Sequence, residues 1–230
     1  MQSTSELYNT ILTGGSYNVQ SKVRIDGTDY AESELFSVKT VSQVFPDGKL
    51  SVGNCISREI DIEMKIPNVT FSRMASIQPF QRITNGTQTS EWIPKGKFFI
   101  DTRDVDQQSG RLTLHGYDSI MLAEADYPST THKWPTDDIV VVREVASKIG
   151  VQLDARTTGI IKNGYTVQFP GAYTMRETLG YIAAMYGGNF IMSDEGKLLL
   201  LPLSNVTDLS GFLVTQNGDY LLIGGDRIFV

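Results

Sequence analysis

The chain has 230 residues, 40% hydrophobic and 10% aromatic, enough for one large core or two small ones. Lys and Arg number 20 against 26 Asp and Glu, a formal net charge of −6 with no basic cluster, which argues against binding nucleic acid by charge. A single cysteine, Cys55, excludes an internal disulfide, and no apolar run approaches the roughly 18 residues needed to span a bilayer. The start, MQSTSELYNTILTGG, lacks the positive segment and long apolar stretch of a secretion signal. The expectation is a soluble protein made in a cytoplasm.

Residues 1–15 read as a short opening helix. Ser3, Thr4 and Ser5 offer capping oxygens, Leu7, Tyr8, Ile11 and Leu12 form one stripe, and Gly14-Gly15 stop it. From Tyr17 the period changes to two. Val19 and Lys22–Ile25 predict a strand that turns at Asp26-Gly27. Phe36, Val38 and Val41 predict another, and Phe45-Pro46-Asp47-Gly48 a turn. Ile60, Ile62, Met64 and Ile66 alternate with Asp61, Glu63 and Lys65, so one face is dry and one wet. The pattern runs on through Ile77–Ile83, turns at Asn85-Gly86 and resumes at Trp92. Phe98–Ile100 and Leu112–Leu114 then flank a polar connection, Asp104–Gly110, as a long hairpin. Short strands at this spacing predict a small antiparallel β-barrel or sandwich over 16–125.

Residues 126–135, bracketed by Pro128 and Pro135, read as a linker. Beyond it, Thr136 or Asp137 caps a helix lined by Ile139, Val142, Ala146 and Ile149 and closed by Gly150. Thr174 and Glu177 have the spacing of a capping box for a helix that buries Leu179, Ile182, Ala183 and Tyr186. Phe190–Met192 and Leu198–Leu203 flank Ser193–Lys197 as a hairpin. Residues 136–205 thus form a small helix-plus-hairpin α/β domain, and the whole chain is α+β. Residues 206–230 read as a further hairpin around Gln216–Asp219, with a turn at Gly224-Gly225.

Little in this pattern points to chemistry. His115 and His132 have no Cys or carboxylate at ligand spacing, and no nucleophile elbow, phosphate loop or dinucleotide fingerprint follows a strand. Asp137-Asp138 and Asp194-Glu195 read as exposed cap and turn residues without the apolar enclosure that general-acid work needs. Asp101-Thr102-Arg103 reads as a charge pair, or as an arginine reaching a neighbouring strand. Cys55 is expected to be a small buried apolar side chain. The residues therefore predict no catalytic, cofactor-binding or metal-binding group.

Taken in order, several segments resemble one family. They are DGKLSVGNCISREIDIEMKI, then EWIPKGKFFIDTRDVDQQSGRLTLHGYDSIMLAEADYP, then WPTDDIVVVREVASKIGV, then TMRETLGYIAAMYGGNFIMSDEGKLLLLPL. Over about residues 17–205 this series resembles the hub proteins at the tail tip of bacteriophages and phage-like injection machines. The resemblance implies a tube-like barrel, a small α/β domain and a second barrel, of which 206–230 supplies only the opening strands. It also implies a homotrimeric ring between the tail tube and other tip proteins, in a virion tail assembled in the host cytoplasm. DNA would pass through that ring. Two alternatives remain at this point: the N-terminal scaffold of a tail-associated cell-wall hydrolase or receptor-binding protein, and a carbohydrate-binding β domain using Trp92 and Trp134.

Overall fold

The computed structural model describes residues 4–128, 133–162, 164–203, 222–223 and 226–227. Helix α1 (Glu6–Thr13) is followed by β1 (Asn18–Ile25), β2 (Thr28–Ala31), β3 (Leu35–Val41), β4 (Asn54–Ile56), β5 (Glu59–Lys65), β6 (Ser76–Thr84), β7 (Ile93–Pro94), β8 (Phe98–Asp106) and β9 (Arg111–Asp118). Then come β10 (Thr136–Asp137), α2 (Asp138–Lys148), β11 (Gln152–Leu153), α3 (Ala155–Ile160), β12 (Thr166–Val167), α4 (Met175–Met185), β13 (Gly188–Met192) and β14 (Lys197–Pro202). Strands β15 (Leu222–Ile223) and β16 (Asp226–Arg227) pair antiparallel, whereas the turn expected at Gly224-Gly225 and the hairpin expected around Gln216–Asp219 lie outside the described residues.

The first sheet runs β2-β1-β6-β8-β9-β5-β3, antiparallel throughout, with β7 added on β6. Its inner face is Val23, Ile25, Ile60, Ile62, Met64, Ile77, Phe98, Ile100, Leu112 and Leu114, all at most 4% exposed. Tyr30 of β2 and Leu35 and Val38 of β3 join the same cluster, and among the described residues no helix side chain belongs to it. A flat sheet would leave that face wet, so the sheet coils round its own side chains. Each such side chain contributes about 1.5–3 kcal/mol by leaving water. Backbone pairing nevertheless stops at β2 and at β3, so the sheet is open where the sequence predicted a closed barrel.

Local chemistry explains the turns. Asp26 and Gly27 both take positive φ, 45° and 86°, the two-residue turn whose twist matches its flanking strands. Strands β8 and β9 pair out to Asp106 and Arg111, so the long connection expected over Asp104–Gly110 shrinks to four residues. Asp106 holds that turn by accepting from the backbone N–H of Gln108 and Ser109. Residues 102–106 of β8 are all exposed, so no apolar alternation marks that end of the strand. Helix α1 is capped by Ser5 and Gly14, but its stripe differs from expectation: Ile11 is buried, while Leu7 and Leu12 are over a third exposed.

A second sheet has the order β11-β14-β13-β4, and β4 reaches it from far upstream to pair in parallel with β13. Helix α4 begins with the expected reciprocal cap between Thr174 and Glu177. Val141, Val142 and Val145 of α2, with Leu179, Ile182 and Ala183 of α4, pack on Phe190, Leu198 and Leu200. Cys55, Ile120, Ala123 and Tyr127 enter the same core from the first part of the chain.

Helix α3 was not anticipated, because ARTTGI shows no apolar period. Its cap is Asp154, whose carboxylate accepts from the backbone and guanidinium of Arg156. Those hydrogen bonds hold it at about 2, below its ordinary 3.8, against an opposing effect of burial. A depressed carboxylate stabilises the fold above its unfolded value and loses that contribution as pH falls through its folded one. Asp154→Asn is therefore expected to cost about 1–2 kcal/mol at neutral pH, discounted for the exposed Arg156. In urea titrations the difference from the parent should shrink as pH falls from 3.8 toward 2. A difference that stays constant across that range would refute the assignment.

Candidate assembly surface

The residues singled out for chemistry do not converge. Asp101 is the extra residue of a β-bulge between Ile100 and Thr102, and it pairs with Arg73 at 3.6 Å rather than with Arg103. Arg103 instead donates to the carbonyl of Phe71. These contacts fasten the middle of β8 to the loop between β5 and β6. The ring Nδ1 of His115 lies 2.7 Å from Asp61 on the neighbouring strand, and its ring stands edge-on to Tyr117. His132 lies outside the described residues. Cys55 is buried, and that burial pushes its thiol well up.

One of the acidic residues read as exposed is placed differently. Asp138 is 0% exposed, accepts from the N–H of Ile139 and receives the hydroxyl of Tyr186. Asp194 meets Arg58 at 2.7 Å. Trp92 lies beneath Lys22 and Arg82, at 5.0 and 4.3 Å from its ring. Trp134 packs against the second core and stacks with Phe169 and Tyr127. Among the described residues no group of three or more His, Cys, Asp and Glu could hold a metal ion. No described helix is long and apolar enough to cross a membrane.

Three buried polar residues that the sequence reading passed over stitch the two sheets together. Asp118 accepts from the backbone of Arg58 and of Ile120 and from the hydroxyl of Ser57. Burial raises its pKa against those three bonds. Asn189 accepts from the N–H of Asn54 and donates to the carbonyls of Val44 and Ser51. Arg58, 6% exposed, reaches Asp194 and the carbonyl of Lys95 and lies over Phe98. Their partners are remote in sequence, so only a search for isolated polar residues inside apolar runs could have found them.

What the fold leaves open is backbone. Strand β3 pairs with β5 on one side alone among the described residues, and β1 pairs with β2 only from Lys22 onward. Between these rims lies a polar cleft of about 460 Å³. Unpaired N–H and C=O groups along a strand are a template for another strand.

No protein-family model matches this sequence, and no curated protein does. Several solved structures share its fold, two tail proteins among them. The 43 kDa tail protein of prophage MuSo2 from Shewanella oneidensis superposes with a TM-score of 0.55 at 14% identity, over 81% of this chain and 56% of that one. The tail protein from Neisseria meningitidis MC58 superposes with a TM-score of 0.52 at 15% identity, over 80% of this chain and 50% of that one. The chain spans about half the length of these proteins.

Proposed function

We propose that this chain is a structural, non-enzymatic component of a phage or phage-like tail: a hub ring that joins the tail tube to the tip. The observation that carries the reading is the fold shared with two tail proteins, taken with a sheet whose outer strands keep unpaired edges. Rings grow by heterologous contacts, and open strand edges provide them. Three copies close the ring, the coiled sheets line its channel as a tube-like barrel, and the small α/β domain stands outside. Tail-tube and tip proteins cover its two faces, and the complex resides in the virion tail. A net charge of −6 suits a conduit that passes DNA without holding it.

A second reading rests on length. The similar tail proteins are about twice as long as the matched region, which fits a scaffold that carries a hydrolase or receptor-binding part elsewhere. Sedimentation of the purified chain across a concentration series is expected to show a species of three times the monomer mass. A reconstruction of the whole tail should place it on the axial channel. Density for the chain away from that channel would refute the hub assignment.

A further inference from the structure

The outer wall of the first sheet is divided by charge. The sequence contains no run of basic residues, yet strand pairing gathers three cations on β1 and β6. Register places Gln20 beside Arg82, Lys22 beside Phe80 and Arg24 beside Gln78, with Val23 and Ile25 turned into the core. Strand β7 brings Pro94 beside Phe80, and Trp92 joins the same outer face. The rings serve as platforms for the cations. Lys22 lies 5.2 Å from Phe80 and 5.0 Å from Trp92, Arg24 lies 5.5 Å from Phe80, and Arg82 lies 4.3 Å from Trp92. Long cationic chains held this way lose less freedom when a partner binds them. Among the described residues Asp29 is the one carboxylate paired with them, and it takes both Lys22 and Arg24. Arg82 bonds Gln20 through Nε, and no acceptor among the described residues meets its terminal nitrogens. In a chain of net charge −6, this face is locally positive.

The opposite wall carries the complementary charge. Glu59, Asp61 and Glu63 alternate along β5 with buried Ile60, Ile62 and Met64, so the three carboxylates form an outward row. Lys39 lies across from Asp61 and Lys65 ends the row. At its other end Glu59, Asp101 and Glu124 line one cleft with a single cation, Arg176, which Glu124 already holds. Successive members of the row stand about 7 Å apart, the same step that separates Lys22 from Arg24. Asp61 and Glu63 have local partners in His115 and Arg111, as Lys22 and Arg24 have Asp29. Such part-exposed pairs are weak and exchange readily for interfacial ones. Strands β8 and β9 separate β6 from β5, and the sheet coils, so the two faces point away from each other and cannot meet within one copy. Joining them between copies is a head-to-tail contact of the kind that closes rings.

We propose that the Lys22, Arg24 and Arg82 face of one copy seats on the Glu59, Asp61 and Glu63 row of the next, as the lateral contact of the ring. The inference rests on the ring assembly proposed above and deepens it by naming the contact. The charge pattern selects a second copy as the occupant, because both halves of the match lie on this chain at the same spacing. Sedimentation of the full chain across a concentration series tests it. Reversing the first face (Lys22→Glu with Arg82→Glu) or the second (Glu59→Lys with Glu63→Lys) should weaken association about ten-fold or more. The neutral pair Lys22→Gln with Arg82→Gln, milder for the fold, should weaken it about three-fold. A chain carrying all four reversals should recover most of the parental association, which damage to the fold could not produce. Association that is parental in both reversed variants overturns this contact and leaves the hub reading standing. Loss with the first reversal alone overturns the second copy as the occupant and assigns the face to another anionic partner. A four-reversal chain that fails to recover overturns the pairing of these two faces. A parent that remains monomeric throughout overturns both readings.

Discussion

Asn189→Ala is expected to lower the unfolding free energy by about 3 kcal/mol or more, moving the midpoint of thermal unfolding down by roughly 6–12 °C for a chain of this size. Asn189 is 1% exposed and sits in β13, yet its amide works on a segment upstream of β5. Its oxygen accepts from the N–H of Asn54 at 2.9 Å, and its nitrogen donates to the carbonyls of Val44 and Ser51, both at 2.8 Å. Removing that amide leaves three backbone groups without their partner and loosens the strand, β4, that enters the second sheet. Two measurements check this: differential scanning calorimetry, and limited proteolysis between β3 and β4. Asn189→Asp should do no better, because a carboxylate would face two carbonyl oxygens. A midpoint within 2 °C of the parent, about half a kcal/mol, would show that the loop is held by other means.

Gly116→Val is expected to be at least as damaging, by about 3 kcal/mol or more, and to yield little soluble protein. Gly116 lies in β9 opposite Ile100, beside the bulge at Asp101. A Cβ there would stand 2.3 Å from the carbonyl oxygen of Phe99 and 3.4 Å from Ile60. The first obstacle is backbone, which cannot rotate aside, so the β8–β9 pair must separate or the bulge must shift. Gly110→Ala is the matching control. It takes positive φ, 69°, with nothing within 4 Å of the added carbon, so only the backbone cost of about 1 kcal/mol applies. Circular dichroism melts of the two variants should differ clearly in midpoint. Equal midpoints would mean that the sheet accommodates the side chain.

Much of the local structure was legible because its cause is local. The alternation of Ile60, Ile62 and Met64 with charged neighbours needs only the period of a strand, and all three are buried. The cap formed by Thr174 and Glu177 needs only three residues of spacing, and both of its bonds are present. Where no local signal existed, the reading fell short. Helix α3 is held by Asp154 and by Thr157, whose hydroxyl accepts from the N–H of Leu200 in β14. Asp138, placed by sequence at an exposed helix start, is enclosed because Tyr186 reaches it from another helix end. The charge pair expected between Asp101 and Arg103 did not form, since a bulge re-aims the strand at that point.

By itself the amino-acid order determined the long alternating strands, helices α2 and α4 and the tight turn at Asp26-Gly27, and it marked many of the side chains that leave water. Those properties depend on periods of two and 3.6 residues and on backbone preferences that act over a few positions. Tertiary structure alone decided that the first sheet coils without joining its edges, that β4 crosses into the second sheet, and that Arg58 lies buried at a cleft with one donor unmet. Each of these depends on groups far apart in the chain. Asn54 and Asn189, 135 positions apart, meet only when β4 has joined the second sheet. A polar side chain carries no local sign of the distant carbonyl or amide that will satisfy it.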